Sequence, residues 1–445
     1  MLVATTSLAQ SQARVTLTPE QYLTVGKSQL MQGNLSSAAE IADILLLRDS
    51  ADFAALFLRM QTALAANDFA AVVEFGARAY AVAPSDEAAH ASARAVARGY
   101  AEQKKDTSAQ FWLRRAFQYA PGSQEKSAVA KDYAFLRQRN PLALSLRFGI
   151  APSSNINAGS EAETFTLTIF GSTIEVPLSA NARPLSGYAI KGGFDANYRI
   201  SSNENGAKFI VASADHLTYA MSSSSKAAAP DVDGSDYSKS NLSLGFLWRE
   251  QLLQDALPTD LRLSLSQSWS AGDLDTRSLA ASVGHKWQLG KTDQVAASFR
   301  AEQTRNLDGD PPSTAKSVNA SWTHTLGNED ALTFGAGTVQ SLSEKALADY
   351  ETRSIRASYV KTEPVLGVRL DFSFDYTERT FDRDANLSGQ RNDIIRTVNI
   401  NVNPVNFDVY GFQPVFRVEA WETRSNFDLY ERKSASLSFD LKSSF

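Results

Sequence analysis

The sequence contains no cysteine. That absence excludes a disulfide scaffold, a cysteine nucleophile and any thiolate metal site. Histidine is scarce too: His90, His216, His285 and His324 are far apart and no two lie four residues apart, which argues against a histidine-rich metal site. Neither charge sign dominates, with 44 Lys and Arg against 49 Asp and Glu and a net charge of −5. The signs are interspersed, which argues against a nucleic-acid-binding surface. No apolar run reaches the roughly 18 residues that a membrane-spanning helix needs. A β-barrel remains open as a way across a bilayer, because its strands alternate apolar and polar residues, and the mean hydropathy of −0.25 permits one. No GxSxG, HExxH, phosphate-cradling or dinucleotide motif is present. What is present is a long chain of 445 residues, 43 % apolar and 21 % charged, a composition for two or three folded domains rather than bulk disorder.

Leu2 to Ala9 read as the tail of a signal peptide ending at Ser7-Leu8-Ala9, or simply as an apolar terminus, so residues 1–17 are set apart as a possible leader. From 18 to 140 alanine is abundant and apolar residues recur at helical spacing. Gly33-Asn34-Leu35, Asn67-Asp68-Phe69 and Lys105-Asp106-Thr107 each open a helix. Arg48-Asp49-Ser50, Ala83-Pro84-Ser85 and Ala120-Pro121-Gly122 close them. A two-helix unit of about 34 residues with small residues at the crossing looks like a tetratricopeptide repeat. Three such units, capped by a helix over 123–139, predict a solenoid. A solenoid offers a concave groove for a peptide or partner; the plainer reading is a helical support for the C-terminal half of the chain.

Beyond Pro141 the period changes to two. Leu144, Leu146, Phe148 and Ile150 alternate with Ser145, Arg147 and Gly149; Val368, Leu370, Phe372 and Phe374 alternate with Arg369, Asp371 and Asp375. Such segments predict about fourteen antiparallel strands, starting near 143, 187, 207, 237, 261, 276, 294, 314, 331, 350, 367, 393, 412 and 432. The fold class is therefore α plus β: a tetratricopeptide-like α-helical solenoid over 18–140, then a transmembrane β-barrel over 141–445. A soluble β-sandwich is the competitor. The polar face argues against it, because Arg147, Arg199, Arg249, Arg262, Arg369 and Asp371 would be prohibitive in a dry core and are tolerated in a hydrated lumen. Short turns alternate with longer links, and Tyr198, Trp248, Trp287, Tyr359, Phe407 and Tyr410 are expected late in even-numbered strands, at headgroup depth. The chain ends in Leu437, Phe439, Leu441 and Phe445 on one face, which resembles the C-terminal signal that outer-membrane barrels present to their insertion machinery.

After the first strand comes the run Ala151-Pro152-Ser153-Ser154-Asn155-Ile156-Asn157, then a short hairpin over 165–178 and the resumption of the barrel at Ser186-Gly187-Tyr188. This order, and most specifically Pro152, Ser153, Ser154, Asn155, Ile156 and Asn157, resembles the surface lipoprotein assembly modifier (Slam) family. The resemblance covers about 18–445 in architecture and about 143–200 in motif. It implies periplasmic repeats joined to a fourteen-stranded outer-membrane barrel in a Gram-negative bacterium, and a role in moving lipoproteins, and some secreted proteins, outward. The plain reading of the same run is a turn-rich loop. The hairpin over 165–178 is either a lumen plug or an outer loop.

No enzyme activity, metal or cofactor is expected. His216 adjoins Asp215 near Ser213, but neighbours on a strand point to opposite faces. Asp371 and Asp375 read as solvated lumen acids, and Asp231, Asp233 and Asp236 as a solvated loop. The expected function is protein translocation. The repeats engage a client lipoprotein or secreted protein, with a periplasmic chaperone as a possible further partner, and the barrel, set in outer-membrane lipid, guides the client across. Strand pairing with the client and passage through the lumen both fit. The alternatives are an exopolysaccharide export porin carrying helical repeats and a passive porin.

Overall fold

The computed structural model describes residues 17–169, 172–252, 257–382, 390–405 and 407–443. The chain divides into two compact units, one ending at Asn140 and one running from Pro141.

The first unit is seven helices: α1 (Pro19–Met31), α2 (Leu35–Arg48), α3 (Phe53–Ala65), α4 (Phe69–Ala81), α5 (Asp86–Glu102), α6 (Asp106–Gln118) and α7 (Ser123–Arg139). Their starts are written locally. Thr18 forms a reciprocal capping box with Gln21 ahead of Pro19. Asp52 accepts from the Ala54 N–H at 2.9 Å, and Ser85 from the Ala88 N–H at 3.2 Å. Each helix packs on its neighbours in sequence, and alanines fill the crossings: Ala38, Ala42, Ala55, Ala79, Ala93, Ala109 and Ala116 are fully buried. Helices approach closely at Gly26, where a Cβ would lie 2.5 Å from Leu58 Cδ2, and at Gly76, where one would lie 2.7 Å from Val96 Cγ2 and 3.1 Å from Met60 Sδ. The end of α7 is tied to the start of α6 by Arg139 on Asp106 and by Asn140, which donates to Thr107 Oγ1 at 3.0 Å.

The second unit begins with β1 (Leu142–Ser153) and a small separate hairpin, β2 (Thr164–Ile169) and β3 (Ser172–Pro177). Next come β4 (Gly187–Ser202), β5 (Gly206–Met221), β6 (Lys239–Glu250), β7 (Thr259–Ser270), β8 (Asp273–Leu289), β9 (Asp293–Asn306) and β10 (Ser313–Thr325). The rest are β11 (Ala331–Ser343), β12 (Tyr350–Val365), β13 (Val368–Phe381), β14 (Arg391–Pro404), β15 (Phe412–Ser425) and β16 (Arg432–Ser443). All but β2 and β3 pair antiparallel with their neighbours, and β1 closes on β16, giving a fourteen-stranded barrel. The strand starts expected from alternation agree with these within three residues.

Register separates the two faces. Leu244, Leu265, Ile355 and Leu437 are each more than half exposed on the outside, as are many other large apolar residues around the wall. An uncovered apolar surface of that extent belongs against lipid. At one rim the outward rings Trp287, Trp322 and Phe334 adjoin across β8 to β11, with Trp322 stacked on Phe334 at 6.1 Å, and Tyr359 stacks on Phe372 at 6.4 Å. Tyr198 and Trp248 lie near the same ends of β4 and β6. Phe407 and Tyr410 differ from the expectation: they sit in the link 405–411 rather than in a strand, because Tyr410 and Gly411 form the reversal that joins Val409 to Phe412. This rim carries the tight turns 203–205, 290–292 and 366–367, and the opposite rim carries the long links 154–186 and 222–238. Short turns mark the periplasmic side of an outer-membrane barrel. The chain enters β1 on that side, so the barrel lies in the outer membrane and the helical unit in the periplasm. The hairpin of β2 and β3 belongs to the outer link 154–186, which is fastened to the link 426–431: the Glu161 N–H donates to Glu431 O at 2.8 Å and Ser160 Oγ to Asp428 O at 3.2 Å.

Candidate functional site

Two features of the barrel stand out: a charged, hydrated lumen and the seam where its first and last strands meet. Strand alternation places Arg147, Arg199, Arg249, Arg262, Arg369 and Asp371 on the lumen face. Arg147 forms ion pairs with Asp195 on β4 and, at 2.7 Å, with Asp215 on β5. Its reach to β5 crosses Gly193, which is register partner to both Arg147 and Asp215; a Cβ there would lie 2.6 Å from Asp215 Oδ1. Arg249 holds Asp260 through two bonds of 2.7 and 2.8 Å, and Arg356 pairs with Asp375. Asp371 accepts from Asn403 Nδ2 at 3.1 Å, while Arg417 donates to Asn401 at 2.8 Å. These side chains are partly exposed, so they mark a wet interior of mixed sign rather than a dry core. A cavity of about 850 Å³ lies among Arg147, Asp215, Asp371, Arg417 and Asp440.

His216 and Asp215 fall on opposite faces, and His216 Nδ1 is 2.8 Å from Ser240 Oγ. Asp233 and Asp236 cap a short turn, with Lys226 bound to Asp233. Among the described residues no three His, Asp or Glu side chains converge as a metal cluster would.

The run Pro152 to Asn157 fastens the outer end of the seam. Pro152 has no N–H to give, and the register between β1 and β16 is interrupted between Ile150–Phe439 and Ser153–Ser436. Beyond the gap, side chains add to the Ser153–Ser436 pairing. The Ala435 N–H donates to Ser154 Oγ at 3.2 Å, and Asn155 Nδ2 donates to Lys433 O at 3.2 Å and to Gly159 O at 2.9 Å. Ser153 Oγ lies 3.4 Å from Ser434 Oγ. Ile156 packs with Leu185 and Ala229, and Asn157 Nδ2 donates to Asn181 O and Arg183 O, both at 2.8 Å. Of the C-terminal residues, Leu437 and Phe439 face outward on β16 and Leu441 shares their face; Phe445 lies outside the described residues.

Sequence reading missed three constellations. The clasp joins residues some 280 positions apart, which only closure of the barrel brings together. Asp330, in the β10–β11 turn, is fully buried and is held by the Tyr359 hydroxyl, the Thr362 N–H at 2.9 Å and Asn328 at 2.8 Å. These donors, the Tyr359 hydroxyl foremost, hold its carboxyl down at about 2. Arg391 and Asp393 form a buried pair near the outer mouth, with the guanidinium 4.2 Å from the Phe381 ring and 3.4 Å from that of Tyr430. Their two-residue spacing, which puts both on one strand face, was the available signal.

No curated protein matches the chain. Among solved structures, the Yersinia enterocolitica type III secretion translocator chaperone SycD aligns at 12 % identity over 27 % of this chain and 83 % of its own, with a TM-score of 0.25. A BenF-like porin from Pseudomonas fluorescens aligns at 9 % identity over 68 % of this chain and 99 % of its own, with a TM-score of 0.36. A bacterial polysaccharide outer membrane secretin aligns at 9 % identity over 67 % and 98 %, with a TM-score of 0.33. None of these likenesses bears on function. The family model of the surface lipoprotein assembly modifier matches residues 259–445, from β7 to the end of the chain and downstream of the Pro152 to Asn157 run. That segment, which holds ten of the fourteen barrel strands, is similar to the surface lipoprotein assembly modifier family.

Proposed function

We propose that this protein carries lipoproteins to the cell surface: the helical unit engages the client in the periplasm and the barrel guides it outward, with no covalent chemistry and no cofactor. The match of the barrel segment to a lipoprotein assembly family carries this reading. The charged lumen agrees with it, since the paired arginines and carboxylates leave a wet interior rather than a packed one. On the helical unit, Met31 and Leu47 are more than four-fifths exposed and Phe111 more than half. Apolar groups displayed in this way suit contact with a polypeptide client.

The test is surface proteolysis of epitope-tagged lipoproteins of the same cell, with the full chain, without it, and with residues 18–139 deleted. The full chain is expected to expose at least one tagged lipoprotein to external protease. The deletion is expected to lose that exposure while its barrel still shows the gel shift of a folded barrel on unboiled samples. Equal exposure with and without the protein overturns the export role; full exposure in the deletion overturns client binding by the helices.

A further inference from the structure

The seam between β1 and β16 differs from every other joint in the wall. Among the described residues its register runs from Arg147–Lys442 to Ile150–Phe439 and reappears only at Ser153–Ser436. Elsewhere among the described residues the barrel ladders are interrupted only where a bulge shifts the register, in β4–β5, β7–β8 and β12–β13, whereas the seam skips two positions within one unshifted register. Proline stands on both sides of β16: Pro152 of β1 at the gap, and Pro414 of β15 opposite Leu441. Neither can donate to a ladder, and proline in a sheet marks a strand that is an edge or close to being one. Next to the gap the outer end is held by the hydroxyl of Ser154 and the amide of Asn155, side chains that can let go without disturbing any strand, and beyond them by the loop bonds from Glu161 to Glu431 and from Ser160 to Asp428. Each such bond contributes only about 0.5–1.5 kcal/mol net.

The wall is also hollowed at this joint from both sides. The lumen cavity of about 850 Å³ touches Arg147, Gly149, Asp440 and Leu441 from within. A second hollow, of about 540 Å³, lies at Pro152, Ser154, Tyr188, Val418 and Leu437. Pro152, Tyr188 and Leu437 share the outward face of the wall by register. A poorly laddered joint between a wet lumen and an open outer hollow is the cheapest place to insert a strand. Backbone pairing would satisfy the donors and acceptors that opening exposes, and lipid makes leaving them bare cost several kcal/mol each.

We propose that the β1–β16 seam is a strand-docking site for an extended segment of the client protein, which pairs with β1 or β16 on its way out, and that Ser154 and Asn155 are the clasp that releases it. This deepens the export reading and rests on it. Specificity would lie in the backbone, so clients of unrelated sequence can share one site.

The absence of cysteine makes the test clean. Ile150 and Phe439 are register partners facing lipid, so Ile150→Cys with Phe439→Cys places two thiols within disulfide reach across the seam. Leu265→Cys with Leu279→Cys makes the same cross-link between β7 and β8. In cells, with a tagged lipoprotein that the unmodified chain displays, oxidation of the seam pair is expected to abolish display and reductant to restore it, while the β7–β8 pair displays normally in both states. Display by the locked seam variant at the level of the β7–β8 control overturns the proposal.

A second arm needs no client. The full chain carrying Ile150→Cys, in detergent micelles, is offered a synthetic peptide of the β16 sequence Arg432–Ser443 with cysteine in place of Phe439, activated as its 2-pyridyl disulfide so that attack by the chain's thiolate releases pyridine-2-thione. The peptide is expected to form a mixed disulfide faster than with a Leu265→Cys chain, and faster still when Ser154→Ala and Asn155→Ala are added. Equal coupling at the two positions overturns the strand-accepting seam whatever becomes of the export role. Loss of display by the unmodified chain would count against the export role and leave the peptide result standing.

Discussion

At the scale of single residues, the barrel concentrates its polar design where alternation alone does not lead. Asp330 is the clearest case: a carboxylate in a turn, fully buried, gathering donors from the start of its own turn and from the end of β12. Its carboxyl is held near 2 against an ordinary 3.8. A depressed carboxylate contributes stability that is complete above the unfolded value and is lost as pH falls through the folded one. The barrel is therefore expected to lose thermal stability between about pH 4 and pH 2. Asp330→Asn is expected to be less stable at neutral pH and flatter across that acid range, measured as the temperature at which the folded band disappears in detergent. An Asp330→Asn protein with the parent's acid profile would show that this turn does not carry the effect. Nothing in the sequence around Leu326 to Asp330 distinguishes this acid from a solvated one, since its principal donor lies 29 residues further on.

At the scale of elements, local signals served well where partners are near in sequence. Capping residues and the alanine pattern located the helices, and strict alternation located the strands within three residues of where they start. Turns were harder to read. Ala271-Gly272 and Leu366-Gly367 both take positive φ at each position, the geometry of tight hairpins, yet neither carries the asparagine that would announce it. In the helical unit the stack is set by close approach. Gly76→Ala forces a methyl against Val96 and Met60 and is expected to destabilise that unit by about 1–3 kcal/mol. Thermal melting of the full chain followed by helical circular dichroism checks this. An unchanged helical transition would mean that the helices can slide apart at this crossing without cost.

At the scale of the whole molecule, charge and closure act together. Arg147 serves two carboxylates, Asp195 and Asp215, across three strands. Removing its charge leaves both acids unneutralised in the lumen. Arg147→Gln is expected to shift ion preference toward cations, read as a change in reversal potential across planar bilayers under a salt gradient. The pair is too exposed for large changes in stability, which are expected to stay within about 1 kcal/mol. A reversal potential equal to that of the parent would show that ions bypass this side of the lumen.

The sequence by itself determined the two periodicities, the helical count and the strand count. It also determined which residues face lipid and which face water, because those follow from propensity and from side-chain alternation along one strand. Only the tertiary structure decided that Pro152 to Asn157 clasp the last strand, that Gly193 makes way for an ion pair, and that the ladder at the closing seam skips two positions. Those facts depend on which strand lies beside which, and a closed sheet brings together residues whose separation along the chain carries no local sign of it.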